Sequence, residues 1–476
     1  MEIRTQQFRA LAGRAILDER LQANLARLGV RFKTLRDLAF AQLSDPEGLR
    51  DQAKAVKERS MANLPYLLET LEGRVQEAGG YVHWARTAQH ARAIIGGLAK
   101  RHSVRSAVKG KSMVTEEIGL NDHLAGLGAD VWETDLGEFI IQLAGEPPSH
   151  IIAPAIHKNK EEIAELFASR LGVPKAESPE GLTEIAREAL RRRFLAADMG
   201  ITGANMAVAE TGSIVLLENE GNIRLSTTVP RIHVVLMGIE KVIPTLEDMA
   251  VLLAVLPRSA TGQKLSSYVS ILTGPRREGE EDGPEEFHLV ILDNGRSRIM
   301  ADPHRRETLH CIRCGACLNV CPVYRKIGGH SYGWVYSGPI GSVLTPQLVT
   351  GHAAWMLPFA TTLCGACAEV CPVKIDLPRL LLTMRWRLME DPNWDGAVPI
   401  SHRIPISLFG WLAAHPRVYF AAATAMRAAQ RVLAPGGRWR LSPPPLAAWG
   451  RKRHIPVLVR PFSRRWSRIE PTAPES

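Results

Sequence analysis

The chain has 476 residues, 45% apolar and 23% charged, which is the balance of an ordinary globular protein of two or three domains and excludes intrinsic disorder as the default. Its net charge of +10 is local: from Ser401 on there are 13 Lys+Arg against Glu470 and Glu475, whereas the preceding 400 residues hold 46 basic and 47 acidic groups. No apolar run reaches the roughly 18 residues of a membrane span, the best attempt, Ile406 to Met426, being broken by His415-Pro416-Arg417, and Met1 to Gln6 open no signal-peptide run; a cytoplasmic protein is expected.

From Met1 to about Gly80 the pattern is helical, with apolar residues at mixed three and four spacing in Phe8-Leu11-Ile16-Leu17 and Leu64-Leu67-Leu68-Leu71. Asp45-Pro46-Glu47-Gly48 reads as a turn between helices. This arm shows no chemistry of its own.

From Tyr81 short apolar runs alternate with helical stretches, the pattern of a parallel sheet with crossover helices. Strands are expected at Val104 to Lys109, Ala129 to Thr134 and His150 to Ala153, with a helix from Thr115 to Leu127. After a helical section from Glu184 to Met199, strands resume at Ser213 to Glu218, His233 to Met237, Tyr268 to Leu272 and Phe287 to Leu292. Glu218-Asn219-Glu220-Gly221-Asn222 suggests a hairpin. The α/β domain runs from Tyr81 to about Arg296.

Two loops of that domain are candidates for function. Gly110-Lys111-Ser112 sits between a strand and a helix, where backbone N–H groups hold an anion or simply make a turn. A nucleotide-binding P-loop is excluded, because the position five before Gly110 is Arg105. In Glu210-Thr211-Gly212-Ser213, small residues admit a ligand and Glu210 could take a proton, the alternative being a capped turn between strands. No Gly-x-Gly-x-x-Gly is present, so no dinucleotide fingerprint either. Arg276 to Gly283 reads as a solvated polar loop.

All seven cysteines lie between Cys311 and Cys371, as Cys311-x2-Cys314-x2-Cys317-x3-Cys321-Pro322 and Cys364-x2-Cys367-x3-Cys371-Pro372. This is the ligand spacing of a two-cluster ferredoxin, in which the Cys before Pro serves the other cluster. Cluster 1 then takes Cys311, Cys314, Cys317 and Cys371. Cluster 2 takes Cys321, Cys364 and Cys367, and the place of a fourth thiolate holds Thr361. Either it is a three-iron cluster, or a four-iron cluster with a non-cysteine ligand from among Thr361, Thr362 and His352, or its open iron meets a substrate oxygen. Zinc is disfavoured because its sites use separated pairs, and disulfides because seven cysteines leave one over.

The 42 residues between Cys321 and Cys364 exceed what a ferredoxin needs and either cover the clusters or form a docking face. Arg379 to Glu390 reads as a helix, and beyond it the chain is Pro- and Arg-rich, with Trp439, Trp449, Phe462 and Trp466 among the arginines. That interleaving suits a solvated tail, a partner's acidic face or an anionic membrane surface better than nucleic acid.

Taken together the chain resembles the LutB family, the iron–sulfur subunit of the LutABC lactate-utilisation system. The resemblance rests on Ala209-Glu210-Thr211-Gly212-Ser213-Ile214, the two cysteine runs with their long spacer, the absent fourth cysteine and the basic C-terminal section. It implies a helical arm over 1–80 and an α/β LUD domain over 81–298, related to NagB/RpiA/CoA-transferase-like folds. An α-helical two-cluster ferredoxin-type domain over 299–390 and a LutB-type C-terminal region over 391–476 follow. It implies two [4Fe-4S] clusters on the seven cysteines, LutA-like and LutC-like partners, an unidentified electron acceptor, and a part in oxidising L-lactate to pyruvate. It supplies no catalytic residue, so Lys111, Glu210 and Thr211 stand as candidates from the residues alone. The leading expectation is an electron carrier; the alternatives are a subunit that itself binds the 2-hydroxy acid, in the LUD domain or at an open iron, and a redox-sensing regulator.

Overall fold

A computed structural model describes residues 2–349, 352–390, 398–433 and 457. The backbone divides into two compact units, Met1–Ala397 and Val398–Ser476.

The first unit is built on a six-stranded parallel sheet of β1 (Tyr81–Ala85), β2 (Ser106–Lys109), β3 (Asp130–Glu133), β4 (Met199–Thr202), β7 (Ile232–Gly238) and β10 (Glu286–Leu292), in the order β1-β10-β7-β4-β2-β3. A smaller sheet runs β8-β5-β6-β9, from β5 (Met206–Val208), β6 (Ser213–Glu218), β8 (Val242–Ile243) and β9 (Tyr268–Leu272). Central β7 is buried at every residue, as a parallel strand covered on both faces must be. Its alternate side chains feed two cores. Val234 and Leu236 meet the helix Ala88–Arg101, while Val235 and Met237 meet the helix Leu64–Glu77 together with Trp334, Tyr336 and Leu344. The cysteine section is therefore packed against the α/β sheet in one continuous core.

Several expected elements differ. His150 to Ala153 is not a strand, because the His150 Nδ1 atom accepts the backbone N–H groups of Ile152 and Ala153 at 3.0 and 3.2 Å and curls the segment into a turn. Glu218 to Asn222 is not a hairpin: the Glu218 carboxylate accepts the N–H groups of Ile223 and Arg224 and caps a helix, Asn222–Thr228, that carries the chain from one sheet to the other. The helix expected from Thr115 to Leu127 breaks at Gly119, whose φ of 63° is left-handed, into Met113–Ile118 and Leu120–Ala125. The helical section expected to reach Met199 spans Pro179–Ala196, and Met199 opens β4 instead. Asp45 to Gly48 is the cap and first turn of the helix Pro46–Ala62, with Asp45 accepting the Gly48 N–H.

The arm is not chemically silent. Arg50, Ala53, Lys57 and Ser60 form one buried stripe of the helix Pro46–Ala62. Arg50 donates to the carbonyls of Glu369 and Cys371, Lys57 to that of Glu240, and Arg36 lies near enough to Cys314 for their charges to interact. Burying these cations demands partners, and the partners belong to the cysteine section and its border.

The spacer between the cysteine runs forms the helix Gly338–Leu348, buried at every residue. It covers the thiols from within. In the second unit, the helices Ile400–Ala414 and Pro416–Leu433 part at His415, and no helix among the described residues is long and apolar enough to cross a membrane. Trp439, Trp449, Phe462 and Trp466 lie outside the described residues.

Candidate metal centre

Each cysteine run closes a tight loop of the same design. Arg313 (φ 63°) and Gly315 (φ 74°) flank Cys314, as Leu363 (φ 53°) and Gly365 (φ 86°) flank Cys364. A left-handed residue on each side of the cysteine turns backbone N–H groups inward, toward where the sulfurs gather. The N–H of Arg313 donates to Cys311 Sγ at 3.4 Å, that of Tyr324 to Cys321 Sγ at 3.5 Å and that of Ile375 to Cys371 Sγ at 3.3 Å. In the second loop the N–H of Leu363 donates to Thr361 Oγ1 at 3.0 Å. Thr361 thus holds the place that Cys311 holds in the first loop.

All seven cysteines are free thiols. Cys311, Cys314, Cys317 and Cys371 line one small cavity, closed by Ile151, Ile340 and Pro372. Cys321, Cys364 and Cys367 form a second group whose charges act on one another. Burial pushes the thiol of Cys371 up to about 11 and that of Cys367 up to about 12, and Cys314 and Cys317 rise as well. Four converging thiols, three of them buried, with inward N–H donors would be a costly arrangement without a cationic core, and they fit an iron–sulfur group. The thiol of exposed Cys364 is lowered, by the N–H of Ala366 and the hydroxyl of Thr362.

Beside Cys311 runs a chain of buried charges. Arg296, 1% exposed, gives two nitrogens to Glu117 at 2.9 and 2.7 Å and its Nε to Glu240 at 2.7 Å. Tyr336 donates its hydroxyl to Glu117 at 2.6 Å, and Arg313 Nη2 reaches Glu240 at 3.4 Å. Burial opposes the ionisation of Glu240, but Arg296 and Arg313 outweigh it and bring its pKa to about 2. Burial and neighbouring cations lower Lys57 and Lys241 to about 8. The chain joins the α/β core to the first cysteine loop.

That loop also borders a cavity of about 380 Å³ in the α/β domain, lined by Lys241, Arg296 and Arg313 and by Asp135, Glu218, Glu220 and Glu240 as well. Burial and Asp135 raise Glu220 to about 7. Of the candidates from sequence, Lys111 lines this cavity and donates to the Ile152 carbonyl at 2.5 Å. Glu210 and Thr211 do not line it. They make the turn between β5 and β6, where Glu210 accepts the N–H of Leu246 at the start of the helix Leu246–Ala260 and Thr211 donates to Ser213. The side chain of His352 lies outside the described residues. Sequence reasoning passed over Arg313, Lys57 and Arg50. The signal for the last two was present, in basic residues on the apolar stripe of a helix.

Residues 68–292 match the model of the LUD domain and residues 307–375 that of a 4Fe-4S dicluster domain. A relative from Bacillus licheniformis described as lactate utilization protein B is 44% identical over 98% of this chain and 97% of its own. One from Anoxybacillus flavithermus with the same description is 46% identical over 98% of both chains. Among solved structures, a duf162 family protein from Deinococcus radiodurans shares 15% identity over 48% of this chain and 98% of its own, at a TM-score of 0.28.

Proposed function

The chain belongs to the lactate utilization protein B family, and from that premise we propose that it is the iron–sulfur electron-transfer subunit of a complex oxidising L-lactate to pyruvate. Its partners in this reading are LutA-like and LutC-like subunits, in the cytoplasm. The observation that carries the reading is the convergence of Cys311, Cys314, Cys317 and Cys371 on one cavity. These four would hold one [4Fe-4S] cluster, and Cys321, Cys364 and Cys367 a second, with Thr361 at the fourth place.

When bound, such clusters accept electrons singly and pass them on. The protein's own part is to fix, shield and offset. Ile151, Ile340 and the buried helix Gly338–Leu348 exclude water. Backbone N–H groups donate to sulfur, and Lys57, Lys241 and Arg313 place positive charge near Cys311. Exposed Cys364 puts the edge of the second group at the surface, where a partner can approach.

The test is anaerobic purification with iron and sulfide analysis, then reduction by L-lactate in the presence of the partner subunits, followed by electron paramagnetic resonance. About eight irons, or about seven with an oxidised three-iron signal, are expected, together with reduction that Cys311→Ser abolishes. Lactate-dependent electron flow undiminished in Cys311→Ser refutes the relay.

A further inference from the structure

The 380 Å³ cavity of the α/β domain is of the size that takes a small organic ligand. Arg313, 9% exposed, lines it with a guanidinium that lies over the Tyr336 ring at 4.8 Å: Nη2 reaches Glu240 at 3.4 Å, while Nη1 is buried with no hydrogen-bond partner among the described residues. Lys241 lines the same cavity, near both Arg313 and Glu240. A buried, unpaired charged donor is expensive. Lys111, Lys241, Arg296 and Arg313 share the lining with Asp135, Glu218, Glu220 and Glu240, and Lys57, Lys241 and Arg296 lie near Arg313 itself.

A guanidinium and an ammonium side by side make a two-point receptor for a planar oxyanion, the guanidinium fork matching a carboxylate. Glu240, in the same lining and in contact with Arg313, is an acceptor suited to a hydroxyl hydrogen. We propose that this cavity binds a hydroxy-carboxylate, its carboxylate on Arg313 and Lys241 and its hydroxyl donating to an acidic group of the lining. The inference deepens the reading above and rests on it for the identity of the acid. Arg313 lies between Cys311 and Cys314 in sequence, and its N–H donates to Cys311 Sγ. A bound carboxylate is therefore one side chain away from the first thiol group, and its arrival must change that group's electrostatic surroundings.

The test uses the full chain with its clusters, anaerobically, titrated by calorimetry with L-lactate, with propionate as the same acid lacking the hydroxyl, and with inorganic phosphate as a charge control. Saturable L-lactate binding is expected, at least tenfold tighter than propionate, not displaced by phosphate, and accompanied by a shift in the paramagnetic spectrum of the reduced protein. Lys241→Met weakens it tenfold or more and Lys241→Arg retains it, both judged only with wild-type iron content. Where Lys241→Met loses iron, the spectral shift in the wild-type protein decides alone. A flat titration, equal binding of propionate, displacement by phosphate, undiminished binding in iron-replete Lys241→Met, or an unmoved spectrum each overturns the proposal. Failure here with clusters that still reduce and reoxidise leaves the electron relay standing, whereas clusters that bound lactate cannot reduce, even with the partner subunits present, count against the relay alone.

Discussion

Replacing Arg296 by Met strips the buried charge chain of its central cation. The side chain is 1% exposed and engages two carboxylates that are themselves 0% and 2% exposed. Breaking a buried pair from one side costs about 3–5 kcal/mol, since the remaining charge has neither water nor partner. The pKa values agree in scale. Glu240 is lowered from 4.5 to about 2, which corresponds to about 3 kcal/mol. Because the folded value is depressed, this stability is fully present above pH 4.5 and is lost as pH falls toward 2. In Arg296→Met burial acts with much less opposition and both carboxylates move upward, so they bind protons in the folded state at mildly acid pH. The deficit is therefore largest at about pH 7.5 and shrinks by about 1–2 kcal/mol at about pH 5.5. Guanidinium unfolding of the anaerobic protein, followed by tryptophan fluorescence at both pH values, measures it. Adding Glu117→Gln and Glu240→Gln to the variant should recover most of the loss. A deficit below about 1 kcal/mol at the higher pH, or one that does not change with pH, refutes the argument.

Cys371→Ser should remove the same paramagnetic signal as Cys311→Ser, and Cys364→Ser the other one; Cys371→Ser grouping with Cys364→Ser would break the crossed pairing. Thr361→Cys should supply the missing thiolate and, from a start near seven irons, raise the content to about eight per chain; an unchanged content of about seven would show that Thr361 and Cys311 are not equivalent. Gly329→Ala places a Cβ 1.8 Å from the Ser149 carbonyl oxygen, a backbone atom that cannot yield, whereas Gly97→Ala meets nothing within 4 Å. The first should lose about 1–3 kcal/mol or more and the second should be neutral or stabilised by up to about 1 kcal/mol; equal thermal midpoints for the two would contradict the packing described.

Strands with unbroken β-branched runs were legible from the chain alone: β6 and β9 span the expected residues, and β7 and β10 extend theirs by one or two. Period and composition suffice where the backbone pairs only with neighbouring strands, on half-exposed β9 as on fully buried β7. They fail where a side chain captures the backbone, as His150 and Glu218 do, because such capture depends on rotamers that spacing does not encode. The thiol spacing singled out the seven cysteines, four of which, Cys311, Cys314, Cys317 and Cys371, line one cavity, and marked the gap at Thr361. It could not disclose Arg313 as a cavity residue, since the other groups of that cavity come from segments far away in the chain. Arg50 and Lys57 are an intermediate case, visible as basic residues on an apolar stripe but without a partner until the fold supplies one.

The arm's bonds also impose an order of events. Arg50 reaches a carbonyl 321 residues later in the chain, and Thr5 one 348 residues later. At a synthesis rate of about 5–20 residues per second the arm waits roughly 15–70 s for its partners to leave the ribosome. Loop closure over such a span comes after local pairing, so the arm docks late, over a cysteine section that is already made.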